Sequence, residues 1–254
     1  MAITNKQRLD LIESYIRENK YADLHTLSTT FKTSLSTIRR ALNDLEAQGI
    51  IRRHHGGASL IEDDVGGGYD FITQDDTNVA EKHQLAETVD GMVQDGMTVM
   101  LDGGTTTYAI AKVLLRKRLV VITNSLPIAA LLNEVSACET IVTGGNIYNR
   151  LGVLYGPTCE SVIGEMHADL AFIGCGGITA DGIWNSNPML ASYQQKMVLA
   201  SGFAWFVADG SKFNKRALTL AVRFGPGMGL LTTKAPPPEL ARRIEESGSQ
   251  LKIC

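Results

Sequence analysis

The side chains of this 254-residue chain that could do chemistry fall into two groups. The first runs from Ser34 to Asn43. Ser34, Ser36 and Thr37 place short hydroxyls where a helix would begin, suited to capping free N–H groups and reaching phosphate oxygens. Arg39, Arg40 and Asn43 follow, with groups that match phosphates and base edges. Arg52, Arg53, His54 and His55 then form a basic stretch suited to neutralising phosphates. The second group is strung along the rest of the chain as Asp102-Gly-Gly-Thr-Thr-Thr107, Thr123-Asn124-Ser125, Thr143-Gly-Gly145, Gly174-Cys-Gly-Gly177 and Asp209-Gly-Ser-Lys212. Glycine lets backbone approach an anion, hydroxyls donate hydrogen bonds, and a lysine pairs with phosphate. Asp102, Gly104, Thr105, Thr106, Thr107, Asn124, Ser125, Gly145, Gly176 and Lys212 are the candidate contacts of a small phosphorylated, hydroxyl-rich ligand.

The elements that must position these residues follow from periodicity. Leu35, Ile38, Leu42 and Leu45 share one face of a helix, which leaves the hydroxyls, arginines and asparagine off the buried stripe. Leu9, Ile12 and Ile16 line an earlier helix from about Lys6 to Glu18. Leu24, Leu27 and Phe31 line a shorter one, capped by Asp23. Two short helices and a third starting at Ser34 match a helix-turn-helix whose third helix reads DNA. Gly49 marks its stop, and the segment from Ile50 to Leu60 reads as two short strands, a wing. Three small amphipathic helices also build modules that never meet DNA, and an Arg-Arg pair is commonly just a solvated face. Charge favours the DNA reading: residues 1–60 hold nine Lys/Arg against six Asp/Glu, and the remainder fifteen against twenty-one.

From residue 97 onward, apolar runs alternate with helical patterns. Expected strands are Thr98–Leu101, Leu119–Thr123, Glu139–Thr143, Leu170–Ile173, Trp205–Ala208 and Gln250–Ile253; expected helices are Thr106–Arg116, Pro127–Asn133, Pro188–Ser201 and Pro238–Ser247. Runs apolar throughout imply a parallel sheet covered on both faces, with ligands at the carboxyl ends of its strands. The expected class is therefore α/β: a small winged helix-turn-helix, residues 1–60, and a larger Rossmann-like domain with a mostly parallel sheet, residues 76–254. The stretch 61–75, with an acidic run and three consecutive glycines, reads as a linker.

Composition limits the remaining options. No apolar run approaches the ~18–20 residues that cross a bilayer, and no signal-peptide pattern precedes the first helix, so the cytoplasm is the expected compartment. Cys138, Cys159, Cys175 and Cys254 lack metal-ligand spacing and read as free thiols; no metal or cofactor is expected. The loop after Leu101 has neither the nucleotide P-loop pattern nor the dinucleotide fingerprint.

With these residues in hand, the chain resembles the DeoR-type bacterial transcription regulators. In the first module the likeness rests on Arg8, the Leu9/Ile12/Ile16 face, Leu24 to Phe31, Ser34 to Gly49 and His55 to Ala58. In the second it rests on Glu81-Lys82, Asp102 to Thr107, Thr123 to Ser125, Gly144-Gly145, Gly174 to Gly177 and Asp209 to Phe213. The resemblance implies a ligand-responsive regulator, most often a repressor of carbohydrate genes, partnered by double-stranded operator DNA and a phosphorylated sugar and acting as a homo-oligomer. It also implies that Gly104–Thr107 hold phosphate while Asp102 and Lys212 meet the sugar. Two positions depart from the family. Ala41 stands where an acidic residue usually follows the paired arginines, a loss that would free Arg39 or Arg40 from a local ion pair. Leu190 stands where many relatives place a glutamate, bearing on ligand choice or only on packing. The alternative reading is a sugar-phosphate isomerase-like enzyme carrying a DNA-binding module, with Asp102, Asp209 and Lys212 as base and cation. A third is DNA binding with a vestigial pocket.

Overall fold

The computed structural model describes residues 5–19, 21–48, 50–54, 57–60, 78–135, 137–149 and 151–254. These form two compact units. The expected linker, Gly49 and His55 lie outside the described residues.

The N-terminal unit comprises α1 (Asn5–Asn19), β1 (Tyr21–Asp23), α2 (Leu24–Thr30), α3 (Leu35–Ala47), β2 (Ile51–His54) and β3 (Gly57–Leu60). The expected stripes close its core: Ile12 and Ile16 from α1, Leu27 from α2 and Ile38, Leu42 and Leu45 from α3 are sealed from solvent together with Ile51. Tyr15 and Phe31 meet edge to face at 5.8 Å between ring centroids. The wing is a three-stranded antiparallel sheet, β1-β3-β2, rather than the two strands expected. Tyr-Ala-Asp is too short to show an alternation, which is why β1 is not legible in the sequence. Its last residue, Asp23, then caps α2, accepting from the N–H groups of His25 and Thr26 at 2.9 Å.

The C-terminal unit is built on seven parallel strands: β4 (Thr98–Leu101), β5 (Val120–Thr123), β6 (Glu139–Val142), β9 (Ala168–Ile173), β12 (Ser201–Ala208), β14 (Met228–Thr232) and β15 (Gln250–Ile253), in the order β15-β14-β12-β9-β4-β5-β6. Alternate residues feed two cores. Val99 and Leu101 pack with α4 (Val79–Asp90), α5 (Thr105–Leu114) and α6 (Leu126–Val135) on one face. Met100 packs with α7 (Pro157–Gly164), α8 (Pro188–Leu199) and α9 (Pro238–Glu246) on the other. A hairpin of β7 (Asn146–Tyr148) and β8 (Val153–Tyr155), and a small antiparallel sheet β10-β11-β13 (Gly177–Thr179, Gly182–Asn185, Thr219–Val222), complete the unit. From β4 the chain builds outward through β5 and β6, then returns to β9 on the opposite side. The gap between the ends of β4 and β9 is therefore the topological switch point, where such sheets bind ligands.

Candidate nucleic-acid interface and effector site

Ser34 opens α3 as its N-cap, accepting from the Thr37 N–H at 3.2 Å. Its hydroxyl also lies 2.8 Å from Ser36 Oγ and 2.9 Å from Thr37 Oγ1, so three hydroxyls converge at the positive end of the helix. Ser36, Arg39, Arg40 and Asn43 are exposed and Thr37 is partly so. The helix thus shows water the groups expected to meet DNA while Ile38, Ala41, Leu42 and Leu45 hold it to the core. Ala41 is buried at 3% exposure, whereas Arg39 and Arg40 are exposed. The backbone of Arg52, Arg53 and His54 runs in β2, paired with β3.

In the second unit the expected loops all leave carboxyl ends of parallel strands. Asp102 follows β4 and is 5% exposed. Its Oδ1 accepts from the Gly103 N–H at 2.8 Å; its Oδ2 accepts from Gly174 N across the switch point at 3.3 Å and from Gln194 Nε2 at 2.8 Å. Burial pushes its carboxyl from 3.8 to about 6, against the pull of the Gln194, Gly103 and Gly174 hydrogen bonds. Gly104, at φ 150°, caps α5 with no side chain to offer, so the first N–H groups of a ten-residue helix lack a side-chain cap. Thr107 Oγ1 donates back to the Gly104 carbonyl at 3.0 Å, Thr106 is half-buried, and the Thr105 hydroxyl is buried without a partner.

After β5, Asn124 and Ser125 are fully buried. Asn124 Nδ2 donates to the Leu154 carbonyl at 3.0 Å while the Leu154 N–H donates to the Asn124 carbonyl at 2.7 Å, pinning the β7–β8 hairpin to the strand end. Ser125 Oγ accepts from the Ile128 N–H at 3.4 Å, at the start of α6. Two glycines have packing roles of their own. A Cβ on Gly145 would lie 2.6 Å from the Tyr155 carbonyl oxygen, and one on Gly176 would lie 3.2 Å from that of Trp184. Gly103 is held more tightly still, with Val153 Cγ1 2.0 Å from the Cβ position.

Asp209 follows β12, is 6% exposed and accepts from the Ser211 N–H at 2.8 Å. Burial raises its carboxyl, but the Ser211 bonds and the Lys212 charge outweigh that and hold it below the usual carboxylate range. Burial pushes the Cys175 thiol up to about 12; Lys212 opposes the shift while Asp209 and Asp102 add to it. Such a thiol stays protonated and unreactive.

Gln194, its partner Asn185 and Tyr193 escape a reading of the sequence. Gln194, buried on α8, donates to Asp102 and to the Gly174 carbonyl at 2.9 Å, and accepts from Asn185 Nδ2 at 3.2 Å. Tyr193, beside it, is 1% exposed, its hydroxyl without a partner. The helical spacing after Pro188 marks α8 but gives no sign that a glutamine on it faces a loop ninety residues earlier. Leu190 is buried with Leu151 and Val153, flanked by Tyr148 and Tyr155.

The comparisons with known proteins agree with this geometry. Residues 8–64 match the DeoR-like helix-turn-helix domain, and residues 77–230 match the DeoR C-terminal sensor domain. The chain is 30% identical to the L-fucose operon activator of Haemophilus influenzae over 94% of its own length and 96% of the relative's. It is 29% identical to the HTH-type transcriptional repressor CsqR of Escherichia coli, covering 96% and 94%, and 28% identical to the glycerol-3-phosphate regulon repressor of the same organism, covering 98% of each. Among solved structures, ribose 5-phosphate isomerase A from Methanocaldococcus jannaschii overlaps 54% of this chain and 55% of its own at TM-score 0.40 and 16% identity, too distant to bear on function. The chain belongs to the DeoR family of DNA-binding transcriptional regulators.

Proposed function

We propose that this regulator is a repressor of carbohydrate-metabolism genes whose hold on operator DNA is set by a phosphorylated sugar in the C-terminal unit. One observation carries the ligand half: α5 begins at the switch point with no side-chain cap, and the Thr105 hydroxyl, fully buried there, has no partner. A helix start with free N–H groups and an unspent hydroxyl is a phosphate site. We place the phosphate on Gly104, Thr105, Thr106 and Thr107. The sugar lies toward Asp102, Asn124, Ser125 and Lys212, with Gly145 and Gly176 shaping the rim. Ser34, Ser36, Thr37, Arg39, Arg40 and Asn43 meet the operator, joined by Arg52, Arg53, His54 and His55.

In this reading residues 1–60 read DNA, 61–75 connect, and 76–254 sense; the protein is cytoplasmic and pairs copies of itself to span paired half-sites. The crevice binds rather than turns over its ligand. The relatives that share it end to end are regulators, and Asp102 is already engaged by three N–H donors. Coupling of about 1–3 kcal/mol between ligand and DNA gives the five- to 150-fold change in affinity that regulation requires. The test is a thermal-shift screen against sugar phosphates, with the unphosphorylated sugars as controls, followed by operator binding with and without the hit. A phosphate-selective hit that is lost in Thr106→Ala and releases DNA supports the reading. Turnover of a sugar phosphate by the purified chain refutes it.

A further inference from the structure

We propose that the effector carries a positively charged nitrogen as well as its phosphate, as a phosphorylated amino sugar does, with the ammonium seated between Asp102 and Asn124. The inference rests on the proposed function above and deepens it by naming the ligand's second recognition group.

Two of the groups that would face the sugar, Asp102 and Asn124, offer acceptors. Ionised, the Asp102 carboxyl can only accept. Its partners are the Gly103 and Gly174 backbone N–H groups and the Gln194 amide, all of them neutral. Among the described residues no ion pair includes it. Burial, and no neighbouring charge, dominates its titration.

Asn124 supplies the second acceptor. Leu101 and Thr123 are register partners on adjacent parallel strands, so Asp102 and Asn124 leave the sheet side by side. The Asn124 Nδ2 is spent on the Leu154 carbonyl, which fixes the amide's orientation and leaves Oδ1 as the free end. That oxygen is buried and has no hydrogen-bond partner, and it lies 3.7 Å from the Cβ position of Gly103. A buried carboxylate without a cation and a buried amide oxygen without a donor make the same demand. A sugar hydroxyl brings one donor and no charge; an ammonium brings three donors and the missing charge.

Gln194 keeps that demand open. Its Oε1 accepts from Asn185 Nδ2, whose own Oδ1 accepts from the Asn187 N–H, and Asn187 caps α8. The string holds the glutamine amide with Nε2 toward Asp102. A neutral amide orients the carboxyl without neutralising it and so leaves the countercharge to the ligand. The buried hydroxyls of Thr105 and Tyr193 donate or accept equally and do not discriminate.

The test is isothermal titration of the full chain with glucosamine 6-phosphate against glucose 6-phosphate, galactosamine 6-phosphate against galactose 6-phosphate, and inorganic phosphate. Each sugar pair differs only by an ammonium in place of a hydroxyl. We expect the amino sugar to bind at least tenfold tighter than its partner in one pair. Gln194→Lys, which supplies a cation from the protein, and Asp102→Asn, which removes the charge, should each erase that preference. Gln194→Met, which adds no charge, should retain it; circular dichroism confirms that each variant folds. Neutral sugar phosphates binding as tightly as their amino partners in both pairs, or a preference that survives Gln194→Lys, overturns the ammonium assignment and leaves the sugar-phosphate reading standing. No binding to any phosphate overturns both.

Discussion

Replacing Asp102 by asparagine should make the C-terminal unit more stable at neutral pH. Its carboxyl titrates at about 6, where an aspartate ordinarily titrates at 3.8, because burial disfavours the charged form more than three N–H partners restore it. A folded pKa above the unfolded one means that the native chain takes up a proton the unfolded chain lacks between about pH 4 and pH 6. Stability therefore falls as pH rises through that window and levels off above it. A gap of roughly two pKa units, at about 1.4 kcal/mol each, amounts to about 3 kcal/mol at pH 7. The asparagine would keep the size and lose the charge, but its amide would turn a donor toward Gly174 N or Gln194 Nε2 and return part of the gain. The expected stabilisation is about 1–3 kcal/mol at pH 7, vanishing near pH 4. Urea unfolding followed by tryptophan fluorescence measures it, since both tryptophans, Trp184 and Trp205, belong to this unit. An advantage of Asp102→Asn that is the same at pH 4 and pH 7, or absent at both, would show that the carboxyl is not held charged at a cost, and the reasoning would fail.

Three other perturbations test other parts of the molecule. Arg39→Ala and Arg40→Ala should each lower the slope of log affinity against log salt by about 0.9, one phosphate contact apiece, while leaving sugar-phosphate affinity unchanged; unchanged slopes in both would remove the arginines from the interface. Ser34→Ala should cost the N-terminal unit about 1 kcal/mol through the lost α3 cap, read by thermal denaturation followed by far-ultraviolet circular dichroism. Gly103→Ala sets a methyl 2.0 Å from Val153 Cγ1 and should cost about 1–3 kcal/mol of chemical stability, with Gly103→Ala/Val153→Ala recovering most of it.

The readability of the chain varies with how far apart its partners lie. The three helices of the DNA-reading unit declare themselves because Ile12, Ile16, Ile38, Leu42 and Leu45 repeat at helical spacing and bury together. Asp23 and Ser34 are legible caps because capping is decided within three residues. β14 escapes the pattern although all five of its residues are buried. Gly229 within it weakens the strand signal, and its reason lies elsewhere: a Cβ there would come 2.6 Å from the Trp205 ring. α7 escapes as well, its eight residues opening on Gly156-Pro157 and exposing too few turns for a period to show. At the carboxyl ends of the parallel strands, loops reveal themselves through glycine and hydroxyl clusters. Gln194 does not, because a buried amide on a helix looks like any solvated glutamine until Asp102 is placed beside it.

The strand order also bears on how fast each unit's pairings can form. In the DNA-reading unit β2 and β3 form a hairpin, and β1 pairs with β3 from 34 to 38 residues away. In the sensing unit β4 closes against β9, its partner across the switch point, only after β5, β6, the β7–β8 hairpin and α7 have been made. Pairings of such long sequence separation form slowly, whereas local helix and hairpin contacts form fast. The pairings of the DNA-reading unit are therefore expected to form before β4 closes against β9.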